Sequence, residues 1–165
     1  MNLQTLSMQI GIFALDCQLD LGYDMLFVQE AMTAGKPIEG LESVDFQIQT
    51  LLSQSDEESK KAIEYIINNF GEIKSQMNQM LSLYKTEDVH GLYDLTKDAY
   101  DDPDYPQMKM ETLLNDRNLN WIPIIESKIK EKSVFIAVGA AHLGGENGVI
   151  RLLQKQGYQV EAVKP

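Results

Sequence analysis

The sequence predicts an α/β fold in which a small, mainly parallel sheet is flanked by helices and interrupted by a large helical insertion. Three short segments have strand character, at 36–42, 134–139 and 158–163. Apolar residues at spacings of three and four fill the stretch between Ser43 and Lys132, which is typical of helices. Since a strand, helix, strand order favours parallel pairing, the C-terminal segments are expected to form one unit with a right-handed crossover.

The run from Val134 to Gly139 is the strongest strand candidate. It is apolar without a break and is bounded by Lys132-Ser133 and by glycines, as in a strand covered on both faces. A glycine-rich turn that contains His142 follows it, and glycine permits the backbone conformations that such turns need. Ligands bind beyond the carboxyl ends of parallel strands, so His142 is a candidate functional residue.

The C-terminal unit continues with a helix and a strand. Residues 149–156 have helical apolar spacing and stop at Gly157, a residue that commonly ends helices. Residues 158–163 alternate between polar and apolar side chains, as a strand with one covered face does. The unit is therefore expected to place 134–139 and 158–163 side by side in the sheet.

The first predicted strand lies near Pro37, which favours extended backbone. Ile38 and Leu41 are its apolar residues, and it leaves Glu42 at its C-terminal end. Glu42 is therefore the second polar group at the end of a predicted strand.

The other segments are predicted as helices. The first starts at Leu3 and runs to about Leu15, the second covers 25–32 and is closed by Gly35, and Ser43 caps the third. Ser55 with Glu58 has the pattern of a capping box. Further helical stripes lie at about 56–70, 73–84, 87–99 and 108–130, with a proline-containing loop at 100–106.

The long helix at 108–130 carries a second group of candidate residues. Arg117, Trp121 and Ile125 fall on one face because they are four residues apart. Pro123 lacks a backbone N–H, so the helix is expected to bend or break there.

Composition limits the possible classes of protein. The 165 residues, 44% of them hydrophobic, predict one globular domain over 1–165. A formal net charge of −11 argues against binding nucleic acid through its phosphates. No apolar run approaches the roughly 20 residues that cross a bilayer, so no membrane span is predicted. Cys17 is the only cysteine, which excludes an internal disulfide and leaves the compartment open.

Four motifs together resemble the TraB/PrgY/GumN family, which includes the metal-dependent, membrane-tethered Tiki proteases. In chain order they are Gly22-Tyr23-Asp24, Ala34-Gly35-Lys36-Pro37 leading to Gly40-Leu41-Glu42, Asn115-Asp116-Arg117-Asn118 with Trp121, and Val138-Gly139-Ala140-Ala141-His142-Leu143. The resemblance covers nearly the whole chain. It implies that the chain corresponds to the C-terminal portion of such a protein, without the family's first Gly-x-x-His.

The resemblance also implies site residues and a function. The second Gly-x-x-His falls on Gly139 and His142, the glutamate after Gly-Leu on Glu42, and the Arg-Asn pair on Arg117 and Asn118. The implied function is a metal-dependent hydrolase for a peptide or small-molecule substrate. Glu42, Arg117 and His142 would be catalytic, with Glu42 and His142 also binding a divalent metal ion. Asn118 and Gly139 would contact the substrate.

The chemistry of these residues leaves alternatives open. Arg117 is suited either to a substrate carboxylate or oxyanion or to a buried salt bridge, for example with Glu42. One histidine and one glutamate make an incomplete metal site, because catalytic zinc usually keeps three protein ligands. The second candidate function is therefore a non-catalytic binding or assembly domain, and a homodimer is possible because a small sheet would expose an edge.

Overall fold

A computed structural model describes residues 3–12, 22–52, 54–102 and 109–163, which form a mainly helical structure. In chain order the helices are α1 (Leu3–Ile12), α2 (Tyr23–Thr33), α3 (Val44–Leu51), α4 (Asp56–Asn68), α5 (Phe70–Lys85), α6 (Val89–Asp101), α7 (Asp116–Glu131) and α8 (Val149–Lys155). A π-helical turn at Glu111–Asn115 leads into α7, and a 3₁₀ turn at Ala140–His142 precedes α8.

The predicted α/β fold is wrong, because the described residues contain no strand. The segments at 36–42, 134–139 and 158–163 lie between or after helices and form no ladder. Phe135 is 75% exposed, and its ring packs edge-on against Phe27, with ring centroids 4.9 Å apart. Apolar composition predicts which residues suit a strand, but a strand exists only where a neighbouring segment supplies backbone hydrogen bonds.

The helical predictions are largely confirmed, and the N-caps explain why. Ser43 Oγ accepts a hydrogen bond from the Phe46 N–H at the start of α3. Ser55 and Glu58 form both bonds of the capping box that begins α4. Gly35 has φ +62°, so glycine suits the end of α2.

Helix α7 supplies the centre of the main core. Arg117, Trp121 and Ile125 share one face of this helix, as predicted, and all three are buried. The core cluster consists of Trp121, Ile122, Ile125, Val149 and Leu152, which joins α7 to α8. A bend or a break was predicted at Pro123; the helix does not break there, because α7 continues through this exposed residue. A second, smaller cluster around Ile66 and Ile73 joins α4 to α5.

Two predictions concern residues outside the described part of the chain. The end of the first helix near Leu15 falls within 13–21, and most of the proline-containing loop falls within 103–108. Tyr100 and Asp101 belong to α6.

The glycine-rich turn after His142 packs closely on α6. A Cβ atom at Gly144 would lie 2.6 Å from Tyr93 Cβ and 2.9 Å from the Val89 carbonyl oxygen. A Cβ atom at Gly148 would lie 2.2 Å from the carbonyl oxygen of Gly144. The turn therefore needs glycine because neighbouring atoms leave no room for a side chain.

We expect Gly148→Ala to destabilise the protein, by about 1–3 kcal/mol, the usual cost of inserting a group where no space exists. Its obstacle is backbone within the same turn, which cannot move without opening the turn. Gly71→Ala in α5 is the matched control, since nothing lies within 4 Å of the new Cβ atom. Urea unfolding measures both, and a Gly148→Ala protein as stable as wild type would contradict the packing described.

Candidate functional site

A buried ion pair joins Glu42 to Arg117. Arg117 Nη2 lies 2.7 Å from Glu42 Oε1, and Arg117 Nε donates to Glu42 Oε2 over 3.0 Å. The two side chains are only 10% and 13% exposed. Arg117 Nη1 donates to the Leu113 carbonyl oxygen at 2.9 Å, so all three guanidinium nitrogens have partners. The predicted alternative of a salt bridge between Arg117 and Glu42 is the arrangement observed.

The backbone has an unusual local structure next to each partner of the ion pair. The π-helical turn before α7 pairs the Asp116 N–H with the Glu111 carbonyl, five residues earlier. Such turns are frequent at functional sites, and this one stands immediately before Arg117. On the other side, a Cβ atom at Gly40 would lie 2.7 Å from the Glu42 carbonyl oxygen, so the tight approach to Glu42 requires glycine.

Trp121 links the ion pair to His142. Its Nε1 donates to Glu42 Oε2 at 3.2 Å, and the Arg117 guanidinium carbon lies 5.1 Å from its ring centroid. The His142 ring lies on it with centroids 4.5 Å apart and an angle of 39° between the planes. Trp121 therefore contacts all three residues predicted to be catalytic. Trp121 was not among the predicted site residues, although its position four residues after Arg117 was the available signal.

His142 is buried at the end of the 3₁₀ turn. Its backbone N–H donates to the Gly139 carbonyl oxygen at 2.9 Å, and the residue is 7% exposed. Its Nδ1 lies 2.7 Å from Asn118 Oδ1. Burial lowers the pKa of His142 to about 4, and the positive charge of Arg117 adds to this while Glu42 opposes it. The imidazole is therefore neutral at pH 7.

Asn118 and Gly139 lie beside His142. Asn118 is 1% exposed, and its Nδ2 donates to the backbone carbonyls of His142 at 3.2 Å and Asn147 at 2.8 Å. Gly139 accepts the backbone hydrogen bond that forms the turn. The hydrogen bonds of both residues are made within the protein, and their role in binding a substrate stays a prediction.

An open cleft of about 250 Å³ borders this cluster on the side of Glu42 and Trp121. Its lining residues are Leu41, Glu42, Ser43, Phe46, Asn120 and Trp121. His142 and the other residues of the 3₁₀ turn are not part of this lining.

The predicted metal-binding pair, Glu42 and His142, does not form a metal centre with the side chains around it. Both oxygens of Glu42 already accept hydrogen bonds from Arg117, and Oε2 accepts a third from Trp121. In the described part of the chain, no group of three or more His, Cys, Asp or Glu residues could hold a metal ion. Because a catalytic zinc usually keeps three protein ligands, the side chains described here do not fit a complete metal centre.

The fold and site define a helical domain in which a buried ion pair and a tryptophan support a neutral histidine on a glycine-rich turn. The chain belongs to the TraB/PrgY/gumN family, whose model matches residues 2–162. The family predicted from the four sequence motifs is thus confirmed. Comparisons with curated proteins and with solved structures gave no match. Among the described helices, none is sufficiently long and apolar to cross a membrane.

We expect Arg117→Met to cost about 3–5 kcal/mol of stability, because it leaves the Glu42 carboxylate buried without its partner. Glu39→Gln is the matched control: Glu39 precedes Glu42 by three residues, and its pair with Lys128 is exposed. Chemical unfolding of both variants should show a far larger loss for Arg117→Met. Equal losses of stability would contradict the conclusion that the buried pair contributes more to stability than the exposed one.

Stability should fall as pH falls from 7 to 5. The ordinary histidine pKa is 6.5 and that of His142 is about 4, so over this interval the unfolded chain binds a proton that the folded chain does not. This group alone should remove about 2 kcal/mol from the free energy of unfolding by pH 5. Urea unfolding at both pH values should show a weaker pH dependence for His142→Asn, with the exposed His90→Asn as control. Identical pH dependence in wild type and His142→Asn would contradict the lowered pKa.

Proposed function

We propose that this protein is a metal-dependent hydrolase for peptide or other acyl bonds, and that His142 supplies a metal-binding nitrogen of its site. The observation that carries the proposal is the environment of His142, which is buried against Trp121 and neutral at pH 7. Membership of the TraB/PrgY/gumN family supports it, because the motif resemblance puts a Gly-x-x-His of that family on Gly139 and His142.

The lowered pKa of His142 favours metal binding over general-base catalysis. A general base is most effective when its pKa is close to the working pH, and a pKa of about 4 makes a weak proton acceptor at pH 7. Neutral imidazole is the form in which histidine binds a metal ion. Histidine ligands also usually have their other ring nitrogen bound to a protein oxygen, and Asn118 Oδ1 is such an oxygen.

In this proposal the Glu42–Arg117 pair acts by holding Trp121, and Trp121 in turn covers the His142 ring. Substrate contact by Arg117 would require the ion pair to open, because its guanidinium nitrogens are already engaged. The pair therefore supports the site, and His142 is left as the chemically available group.

The described residues supply only part of a metal centre. His142 offers one nitrogen, and the oxygens of Glu42 are engaged by Arg117 and Trp121. A hydrolytic metal site needs further ligands. We therefore assign no step of hydrolysis to the described residues, and we expect this chain to bind metal weakly and to have little activity by itself.

A non-catalytic binding or assembly domain is the second candidate, and a specific observation favours it. Helix α2 buries none of its residues, and Met25 and Met32 are 58% and 70% exposed. Phe135, which contacts this helix through Phe27, is also mostly exposed. Apolar groups exposed together often mark protein interfaces, and a homodimer is one arrangement that would cover them.

Titration of this chain with Zn²⁺, followed by calorimetry, tests the proposed function. We expect weak, saturable binding that is lost in His142→Ala and retained in His90→Ala, with little turnover of a fluorogenic peptide. Zinc binding unchanged by His142→Ala would contradict the role of His142. Rapid metal-dependent turnover that is lost in His142→Ala would contradict the expectation that the metal site is incomplete. A dimer that binds no zinc would favour the binding or assembly role.

A further inference from the structure

We infer that Asn118 is a positioning residue that fixes the tautomer of His142, with the proton on Nδ1 and the lone pair on Nε2. The inference rests on the proposed function in one respect only: metal binding is the use that it assigns to the Nε2 lone pair. Its structural basis is the set of hydrogen bonds around the Asn118 amide, which determines the direction of each bond.

The orientation of the Asn118 side chain follows from two backbone carbonyls. Its Nδ2 lies 3.2 Å from the carbonyl oxygen of His142 and 2.8 Å from that of Asn147. Carbonyl oxygens only accept hydrogen bonds, so the amide NH₂ must face them. The flipped amide would place Oδ1 against these two oxygens and lose both bonds. Asn118 Oδ1 therefore faces the imidazole of His142.

The orientation of Asn118 determines which nitrogen of His142 carries the proton. Oδ1 is an acceptor only, and it lies 2.7 Å from His142 Nδ1, so the hydrogen atom must be on Nδ1. A neutral imidazole has one ring N–H, which leaves Nε2 unprotonated. Free histidine in water favours the opposite tautomer, with the proton on Nε2. Asn118 thus holds the ring in the form that the side chain alone would not prefer.

The surroundings of His142 leave Nε2 available. Among the described residues, Nε2 has no hydrogen-bond partner, whereas Nδ1 is bound to the nearly fully buried Asn118. Trp121 covers the ring without competing for either nitrogen, because its own N–H donates to Glu42. The lone pair of His142 that remains free for chemistry is therefore the one on Nε2.

Asn118 also connects α7 to both ends of the turn, since it bonds the carbonyls of His142 and Asn147. Replacing it would disturb the turn even if the tautomer had no importance. Loss of stability or activity in an Asn118 variant therefore cannot separate the two roles, and the tautomer itself must be measured.

The tautomer is measured directly by ¹H–¹⁵N correlation through two-bond couplings in the imidazole rings at pH 7. The chain has two histidines, so His90→Asn assigns the remaining ring to His142. Nε2 couples to both ring protons, and an unprotonated nitrogen resonates far downfield of a protonated one. We expect the downfield signal of His142 to be Nε2. A wild-type spectrum in which Nδ1 is the downfield nitrogen would overturn the inference without any variant.

Two substitutions then test whether Asn118 is the cause. Asn118→Ala removes the acceptor, so the Nε2 signal of His142 should shift upfield as the proton moves to Nε2. Asn118→Asp retains an oxygen facing Nδ1 but sets its second oxygen against the carbonyls of His142 and Asn147, so both of those hydrogen bonds are lost. In the folded Asn118→Asp protein Nδ1 should stay protonated. Asn120→Ala, two residues away on the exposed side of α7, is the matched control and should leave the wild-type spectrum unchanged.

These spectra separate the inference from the proposed function. Retention of the Nδ1 proton in a folded Asn118→Ala protein would overturn the role of Asn118. If Asn118→Ala does not fold, loss of the Nδ1 proton in Asn118→Asp would overturn it instead. If the tautomer is as expected but zinc leaves the Nε2 signal unmoved, the inference stands and the proposed function fails. If zinc binding depends on His142 while the tautomer is reversed, the inference alone fails.

Discussion

The bidentate ion pair between Glu42 and Arg117 is the interaction on which the rest of the site depends. It joins the segment before α3 to the start of α7, 75 residues apart in sequence. Burial gives the pair its structural effect: each charge left without its partner would be poorly solvated, so the two segments separate only at a large free-energy cost. Trp121 completes the arrangement, because its indole N–H donates to the same carboxylate.

The pair also sets the electrostatic environment of His142. Arg117 disfavours a second positive charge nearby, and burial against Trp121 removes the water that would stabilise an imidazolium ion. Glu42 acts in the opposite direction, but its charge is already compensated by Arg117. A histidine in such a place stays neutral near pH 7 and keeps one unprotonated ring nitrogen with its lone pair.

The structure of the glycine-rich turn depends both on its local sequence and on its packing against other helices. Gly144 and Gly145 permit Tyr93 of α6 to lie directly on the turn, and Gly148 permits the chain to close on itself before α8. The turn is thereby fixed from two sides, by α6 through Tyr93 and by α7 through Asn118. This double attachment gives His142 a defined position although it belongs to no long helix.

The sequence by itself determined the helices, the family and the identity of the clustered residues. Ser43 and the Ser55/Glu58 capping box give local hydrogen bonds that depend only on neighbouring residues, and the spacing of Arg117, Trp121 and Ile125 defined one face of α7. These features act within a few residues, so a linear pattern is sufficient to find them.

Only the tertiary structure decided whether a strand forms and which groups bind the Glu42 carboxylate. The apolar run from Val134 to Gly139 satisfies the pattern of a buried strand, but no described segment pairs with it, so it forms no ladder. The sequence placed Glu42 among possible metal ligands, whereas its two oxygens are taken by Arg117 and Trp121. Strand pairing and the hydrogen-bond partners of a carboxylate both depend on groups far away in the chain. No local sequence pattern specifies which groups these are.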